Sequence, residues 1–226
     1  MLCVIDIPAA GRKHLLNNHL FVYGVDREIE RVLQSLDETS RLENSRAVTV
    51  PAGELMSAIT WDTGVFFNIL LRGMRAKNVL EIGTSTGFST IWLAEAIHDG
   101  SVITIEADSK KRSRAQANFK KAGLEGCIKI QSGDAQDVLN SMSSSGEYNL
   151  FFDFVLIDAD KENIPLYFDM VLPMIRVGGI IATDNMTYPK KFTHMMERFA
   201  KSVRQNPRVR TVTIPIGNGE ELTIKI

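Results

Sequence analysis

Residues 78–89 read NVLEIGTSTGFS. An apolar run (Val79, Leu80, Ile82) stops at Gly83, and a second glycine, Gly87, precedes Phe88-Ser89 at the start of an amphipathic helix. The pattern is a buried strand, a tight turn and a helix N-terminus. Glycine lacks a Cβ and tolerates positive φ, so backbone there can approach a ligand closely. The helix start adds free N–H groups and a positive dipole end. The turn is therefore a candidate nucleotide cradle. Its spacing is G-x-x-x-G, not the G-x-G-x-x-G of dinucleotide binders, and taken alone it equally suits an ordinary βα turn.

The sequence on either side decides between these. Strands are expected at Asn78–Ile82, Ser101–Glu106, 128–131, Phe152–Ile157 and 180–183. Helices are expected near 89–97, 109–122, 136–141, 164–175 and 192–205, with 143–146 as a flexible surface loop. Apolar, unalternating strands separated by helices indicate a parallel sheet covered on both faces. The chain closes differently. Val209–Ile214 and 222–226 are joined directly by Gly217-Asn218-Gly219, so they form an antiparallel hairpin. The expected fold is α/β, a doubly wound Rossmann-like sheet of seven strands, mostly parallel with a C-terminal antiparallel hairpin. Upstream, residues 26–40 carry Ile29, Val32, Leu33 and Leu36 at helical spacing. A short helix is expected over 52–59 and an apolar one over 64–74. Residues 1–75 read as a helical approach to a core at 76–226, within a single domain without repeats or linkers.

Composition sets the class. The 226 residues suffice for one α/β domain, and 44% hydrophobic with 23% charged residues is ordinary for a soluble protein. A net charge of −1 offers no electrostatic case for nucleic acid or an anionic membrane. Cys3 and Cys127 make no metal or redox motif, and their scarcity suits a reducing cytosol. The opening MLCVIDIPAA contains Asp6 and lacks a basic lead, so it reads neither as a signal peptide nor as a membrane span. A cytoplasmic protein is expected.

In such a sheet ligands bind at the carboxyl ends of the strands. Those ends bear Gly83, Glu106, Gly133-Asp134, Asp158 and Asp184-Asn185. Each acidic residue alone also suits a cap or turn, but all of them fall on one edge. Glu106 lies about 20 residues past the glycine turn, where nucleotide folds hold a ribose. That serves nicotinamide cofactors and S-adenosylmethionine alike. Asp134 either sits near the base of the nucleoside or is a solvated turn residue. Asp158, Asp184 and Asn185 offer hard oxygens suited to Mg2+ or Ca2+ rather than zinc. Lys161, three residues past Asp158, can fold back over such a cation and act as a general base.

The segments VLEIGTSTGFS, ITIEAD, GDAQD, FVLIDADKENIPLYF, GGIIATDN and IPIGNGEELTI stand in the order found in metal-dependent O-methyltransferases. From about residue 64 onward the chain resembles the catechol and caffeoyl-coenzyme A O-methyltransferase-like enzymes. The resemblance implies S-adenosylmethionine as cofactor, and Mg2+, Ca2+ or Mn2+ held by Asp158, Asp184 and Asn185. It implies Lys161 as catalytic base, assisted by Asp158. It places Ile59, Glu81, Gly83, Ser85, Ser89, Glu106, Ala135 and Asp158 on cofactor-holding positions, with Asp134 framing the adenine. It further implies a hydroxylated small-molecule acceptor and a homodimer, with residues 1–25 as interface or lid. Two departures stand out. Asp62-Thr63-Gly64-Val65 replaces an acidic-Gly-Gln run, and the loop after Asn185 is short, leaving an acceptor site that is open or completed by other segments. A transfer-RNA hydroxyuridine acceptor keeps the same chemistry, with Lys190-Lys191 and 110–114 as basic patches. A nicotinamide oxidoreductase would use Gly83 and Glu106 but leave the Asp158, Asp184, Asn185 set idle. A non-catalytic binding protein would need neither Lys161 nor Asp158.

Overall fold

A computed structural model describes residues 24–51, 54–97 and 99–226. Cys3, most of the 1–25 segment and the first two residues of the 52–59 helix lie outside them. Seven strands are formed: β1 (Asn78–Ile82), β2 (Ser101–Glu106), β3 (Ile128–Ser132), β4 (Phe152–Ile157), β5 (Ile175–Thr183), β6 (Val209–Ile214) and β7 (Glu220–Lys225). They make one sheet in the order β3-β2-β1-β4-β5-β7-β6. β1 pairs in parallel with β2 and β4, while β7 runs antiparallel to both β5 and β6. The doubly wound sheet and its closing hairpin are therefore those expected. Chain order reverses between β1 and β4, so the ligand crevice belongs at the ends of these two strands.

The helices are α1 (Arg27–Asn44), α2 (Trp61–Met74), α3 (Phe88–Ala96), α4 (Ser109–Lys121), α5 (Ala135–Ser145), α6 (Ile164–Val171) and α7 (Thr193–Arg204). One core joins α1 to α4 to the sheet through Leu33, Phe67, Leu71, Ile91, Trp92 and Phe154. The other joins α5, α6 and α7 through Leu139, Tyr167, Phe168, Phe199 and Ile157. α3 is buried on almost every side rather than amphipathic, because other helices cover its outer face. Among the described residues no helix is long and apolar enough to cross a membrane.

Several boundaries differ from expectation: the first helix runs on to Asn44, the second begins at Trp61 and the last strand at Glu220, and four further differences have a local reason. Residues 55–60 form no helix, because side chains elsewhere take their N–H groups: Glu43 accepts from Met56 N at 2.5 Å and Ser85 Oγ from Ser57 N at 3.2 Å. The serines of the expected 143–146 loop continue α5 as far as Ser145. Buried Met142 anchors that turn, Ser145 Oγ donates to Met142 O at 2.9 Å, and Gly146 caps it. α6 stops at Val171 because Pro173 ends its hydrogen bonding. β5 begins at Ile175, five residues early, and carries a register shift opposite Phe152 and Phe154.

Candidate active site

The glycine turn is shaped by contact, not by composition alone. Gly83 has φ +104°, and a Cβ there would stand 2.0 Å from the Asp158 carbonyl oxygen. Gly87 has φ +92°, and its Cβ would strike the Phe119 ring at 2.4 Å. Only glycine allows β1, β4 and α4 to meet this closely. Gly83 N and Thr84 N both donate to Ile105 O, tying the turn to β2. Glu106 then braces it: its Oε2 accepts from Ser85 N at 2.8 Å and its Oε1 from Asp108 N at 2.9 Å.

A cleft of about 1130 Å3 opens over these strand ends. Ile59, Gly83, Ser85, Glu106, Asp134 and Ala135 line one part of it, and Asp158, Lys161 and Asn185 another. Asp134 also caps α5, accepting from Gln136 N at 2.8 Å. Three further candidate residues do not line the cleft. Asp184 is buried beside it at 2% exposure. Glu81 and Ser89 lie beneath the turn, fully and largely buried. Glu81 Oε2 accepts from the hydroxyls of Thr90 at 2.5 Å and Thr104 at 2.6 Å, whereas its Oε1 has no hydrogen-bond partner among the described residues. Burial pushes the Glu81 carboxyl up to about 7, against the pull of the hydroxyls of Ser89, Thr104 and Thr90.

At the ends of β4 and β5, two carboxylates converge on one amide nitrogen. Asn185 Nδ2 donates to Asp158 Oδ1 at 2.9 Å and to Asp184 Oδ2 at 2.5 Å, and Asn185 N donates to Asp184 Oδ1 at 2.6 Å. Lys161, on the short turn Lys161–Asn163, reaches back so that Nζ donates to Asp158 Oδ1 at 3.2 Å. Both partners are largely buried, with 11% and 14% of their side chains exposed. Burial, then the Asp158 charge, pushes the Asp184 carboxyl up to about 7. Among the described residues no three His, Cys, Asp or Glu side chains cluster as a metal site. The candidate set is two carboxylates and the Asn185 amide, whose nitrogen faces the acids here while its oxygen accepts from Asn218 Nδ2 at 3.4 Å; turning the amide over would bring that oxygen into the set. Its chemistry fits a hard divalent cation, because two poorly solvated acids already aim at a single positively polarised group.

Several residues here escaped sequence reasoning. Glu220, at the start of β7, is fully exposure-free, and no N–H or hydroxyl among the described residues reaches either of its oxygens. It meets the Asp184 carboxyl, and two carboxyls share a hydrogen bond only if one keeps its proton. Burial, then the Asp184 charge, pushes Glu220 up to about 12. That direction makes Glu220, rather than Asp184, the carboxyl of the pair that would keep a shared proton. Its only sequence signal is an acid where a strand faces the sheet interior. Tyr167 donates to Asp160 Oδ1 at 2.7 Å and lines the cleft. Its spacing from Asp160 on the turn into α6 was the available clue. Burial, then Asp160, raises the Tyr167 hydroxyl above its ordinary range. The short loop after Asn185 is pinned to the closing hairpin: Met186 N donates to Gly219 O at 3.0 Å and Thr187 N to Asn218 O at 2.9 Å. Tyr188 beyond it stays 59% exposed on the rim of the cleft.

Comparison with known proteins agrees along most of the chain. A family model described as O-methyltransferase matches residues 33–226. A flavonoid 3',5'-methyltransferase from Vitis vinifera is 32% identical over 203 residues, covering 82% of this chain and 86% of the relative. A catechol O-methyltransferase from Niastella koreensis is 36% identical over 173 residues, covering 76% of each chain. Among solved structures, an O-methyltransferase from Bacillus cereus in complex with SAH is similar at a TM-score of 0.73 and 28% identity, covering 96% of this chain and 97% of that one.

Proposed function

The chain belongs to the O-methyltransferase family, and from that premise we propose that it transfers the methyl group of S-adenosylmethionine to one hydroxyl of a vicinal-diol small molecule, a catechol or caffeoyl-type phenol, with a divalent cation held by Asp158, Asp184 and Asn185. The observation that carries the reading is the convergence of Asp158 and Asp184 on the Asn185 amide, with Lys161 against Asp158. The donor assignment is supported by the glycine turn braced on Glu106 and by the SAH bound to the Bacillus cereus relative. Family membership decides against a nicotinamide use of Gly83 and Glu106. A cytoplasmic place of work is consistent with the two cysteines and the absence of a redox motif.

S-adenosylmethionine would supply a methyl already activated on a sulfonium, and a divalent cation held by Asp158, Asp184 and Asn185 would supply Lewis-acid chemistry that acidifies the acceptor hydroxyl. The protein supplies the rest. Glu106 accepts from the ribose hydroxyls. Asp158 and Asp184 give carboxylate oxygens and Asn185 its amide oxygen. Lys161 Nζ takes the proton of the attacking hydroxyl. Strand ends fixed by main-chain pairing would hold donor and acceptor together, and positioning is the larger share of the rate gain because the donor is already activated.

The test incubates the protein with S-adenosylmethionine and a panel of catechols and caffeates, in Mg2+ and in EDTA, and follows product by mass spectrometry. Methylated product in Mg2+ that disappears in EDTA is expected. Product that persists in EDTA sinks the cation assignment while keeping the transferase. No product from any diol removes the proposed acceptor class.

We also propose a homodimer. β6 is an edge strand, and Val212 and Ile224 stand on one face of the β6–β7 pair at 55% and 39% exposure. Light scattering is expected to give twice the chain mass of 25.2 kDa, and a monomer mass at micromolar concentration rules the dimer out.

A further inference from the structure

Residues 54–60 form an irregular strap between α1 and α2. Leu55, Met56, Ser57, Ala58, Ile59 and Thr60 all line the cleft. The strap has almost no regular backbone pairing, yet it is fastened at three points. Glu43, in the last turn of α1, accepts from Met56 N at 2.5 Å. Its other oxygen pairs with Arg114 Nη2 of α4 at 3.3 Å, and Arg114 Nη1 donates to Glu54 O at 2.9 Å. Lys110 of the same helix pairs with the Glu54 carboxylate. The middle of the strap is fastened to the glycine turn through Ser57 N and Ser85 Oγ, and Ser85 N is in turn held by Glu106.

Glu43 is only 5% exposed. A carboxylate so far removed from water is costly unless its bonds are satisfied, and here they are satisfied by the strap on one side and Arg114 on the other. Strap, glycine turn and Glu106 thus make one hydrogen-bonded wall, clamped from outside by α1 and α4. Neither Glu43 nor Arg114 lines the cleft.

We infer that Glu43 and Arg114 are positioning residues for the methyl donor, pre-setting the strap as the wall of the donor end. The inference rests on the donor site proposed above. Pre-ordering a loop reduces the ordering cost of binding, so loosening the clamp lowers donor affinity without touching the cation ligands, which hang on β4 and β5. Calorimetry with S-adenosylhomocysteine is expected to show about tenfold weaker binding to Glu43→Ala, with Mn2+ affinity unchanged. Glu43→Gln keeps an oxygen for Met56 N but loses the charge pair, and recovers part of the affinity. Arg114 is 37% exposed, and Arg114→Ala in the Glu43→Gln background, which leaves no buried charge unpaired, gives the same direction of change if Glu43→Ala does not fold. Wild-type protein that binds no S-adenosylhomocysteine overturns the donor site itself. Wild-type binding matched by the variants overturns the clamp alone. Equal losses of donor and Mn2+ affinity would show a general structural role and also overturn it.

Discussion

Lys161→Ala is expected to slow methyl transfer by about 10²–10⁴-fold, the usual contribution of a positioned general base, while leaving S-adenosylhomocysteine affinity unchanged. The Lys161 side chain is 11% exposed, and the Lys161–Asn163 turn holds Nζ on Asp158 Oδ1 at 3.2 Å. The alternative role is a structural ion pair that merely orients Asp158. Lys161→Arg separates the two. Arginine keeps the charge and the contact with Asp158, but its guanidinium does not give up a proton in a protein and so cannot accept one. Proton abstraction at Nζ therefore predicts that arginine fails as badly as alanine. An arginine variant with near wild-type turnover would leave Lys161 as an orienting cation and transfer the proton to another group. An alanine variant within tenfold of wild type would mean that positioning and the cation suffice.

What the sequence revealed, and what it hid, follows the range of the interactions involved. β1, β2 and β4 have the bounds read from their apolar runs, because a glycine or an acid stops each run where the strand leaves the core, and β6 has its expected bounds because Pro215 follows it. The strand-end acids were legible for the same reason: parallel topology alone brings Glu106, Asp158 and Asp184 to one edge. The strap was not. Met56 N is taken by a side chain 13 residues away and Ser57 N by one 28 residues away, and no local period reports such bonds. α3 looked amphipathic because its outer face was judged without α2, which covers it. The depth of Asp184 and Glu81 was hidden too. Sequence placed both at the site, but only packing distinguishes a side chain lining the cleft from one buried beneath it.

Glu220 gives the second large effect, on stability rather than rate. Its carboxyl is fully buried against Asp184 and pushed up to about 12, whereas its ordinary value is 4.5. Between those values the folded protein keeps a proton that the unfolded chain releases. The folded state then binds more protons, so stability falls as pH rises, by about 1 kcal/mol or slightly more per pH unit for one proton. Asp184 adds a slope of the same sign between 3.8 and about 7. Glu220→Gln replaces the acid with an amide that still donates to Asp184 but has no proton to lose. In EDTA, urea unfolding is therefore expected to show the variant more stable than wild type at pH 9. The gap should narrow steadily and nearly close by pH 5. Above pH 7, where Asp184 has finished titrating, the wild-type profile should keep falling and the variant profile should flatten. Parallel profiles would mean that Glu220 is ionised in the fold, and that a positive group rather than a shared proton stands between it and Asp184.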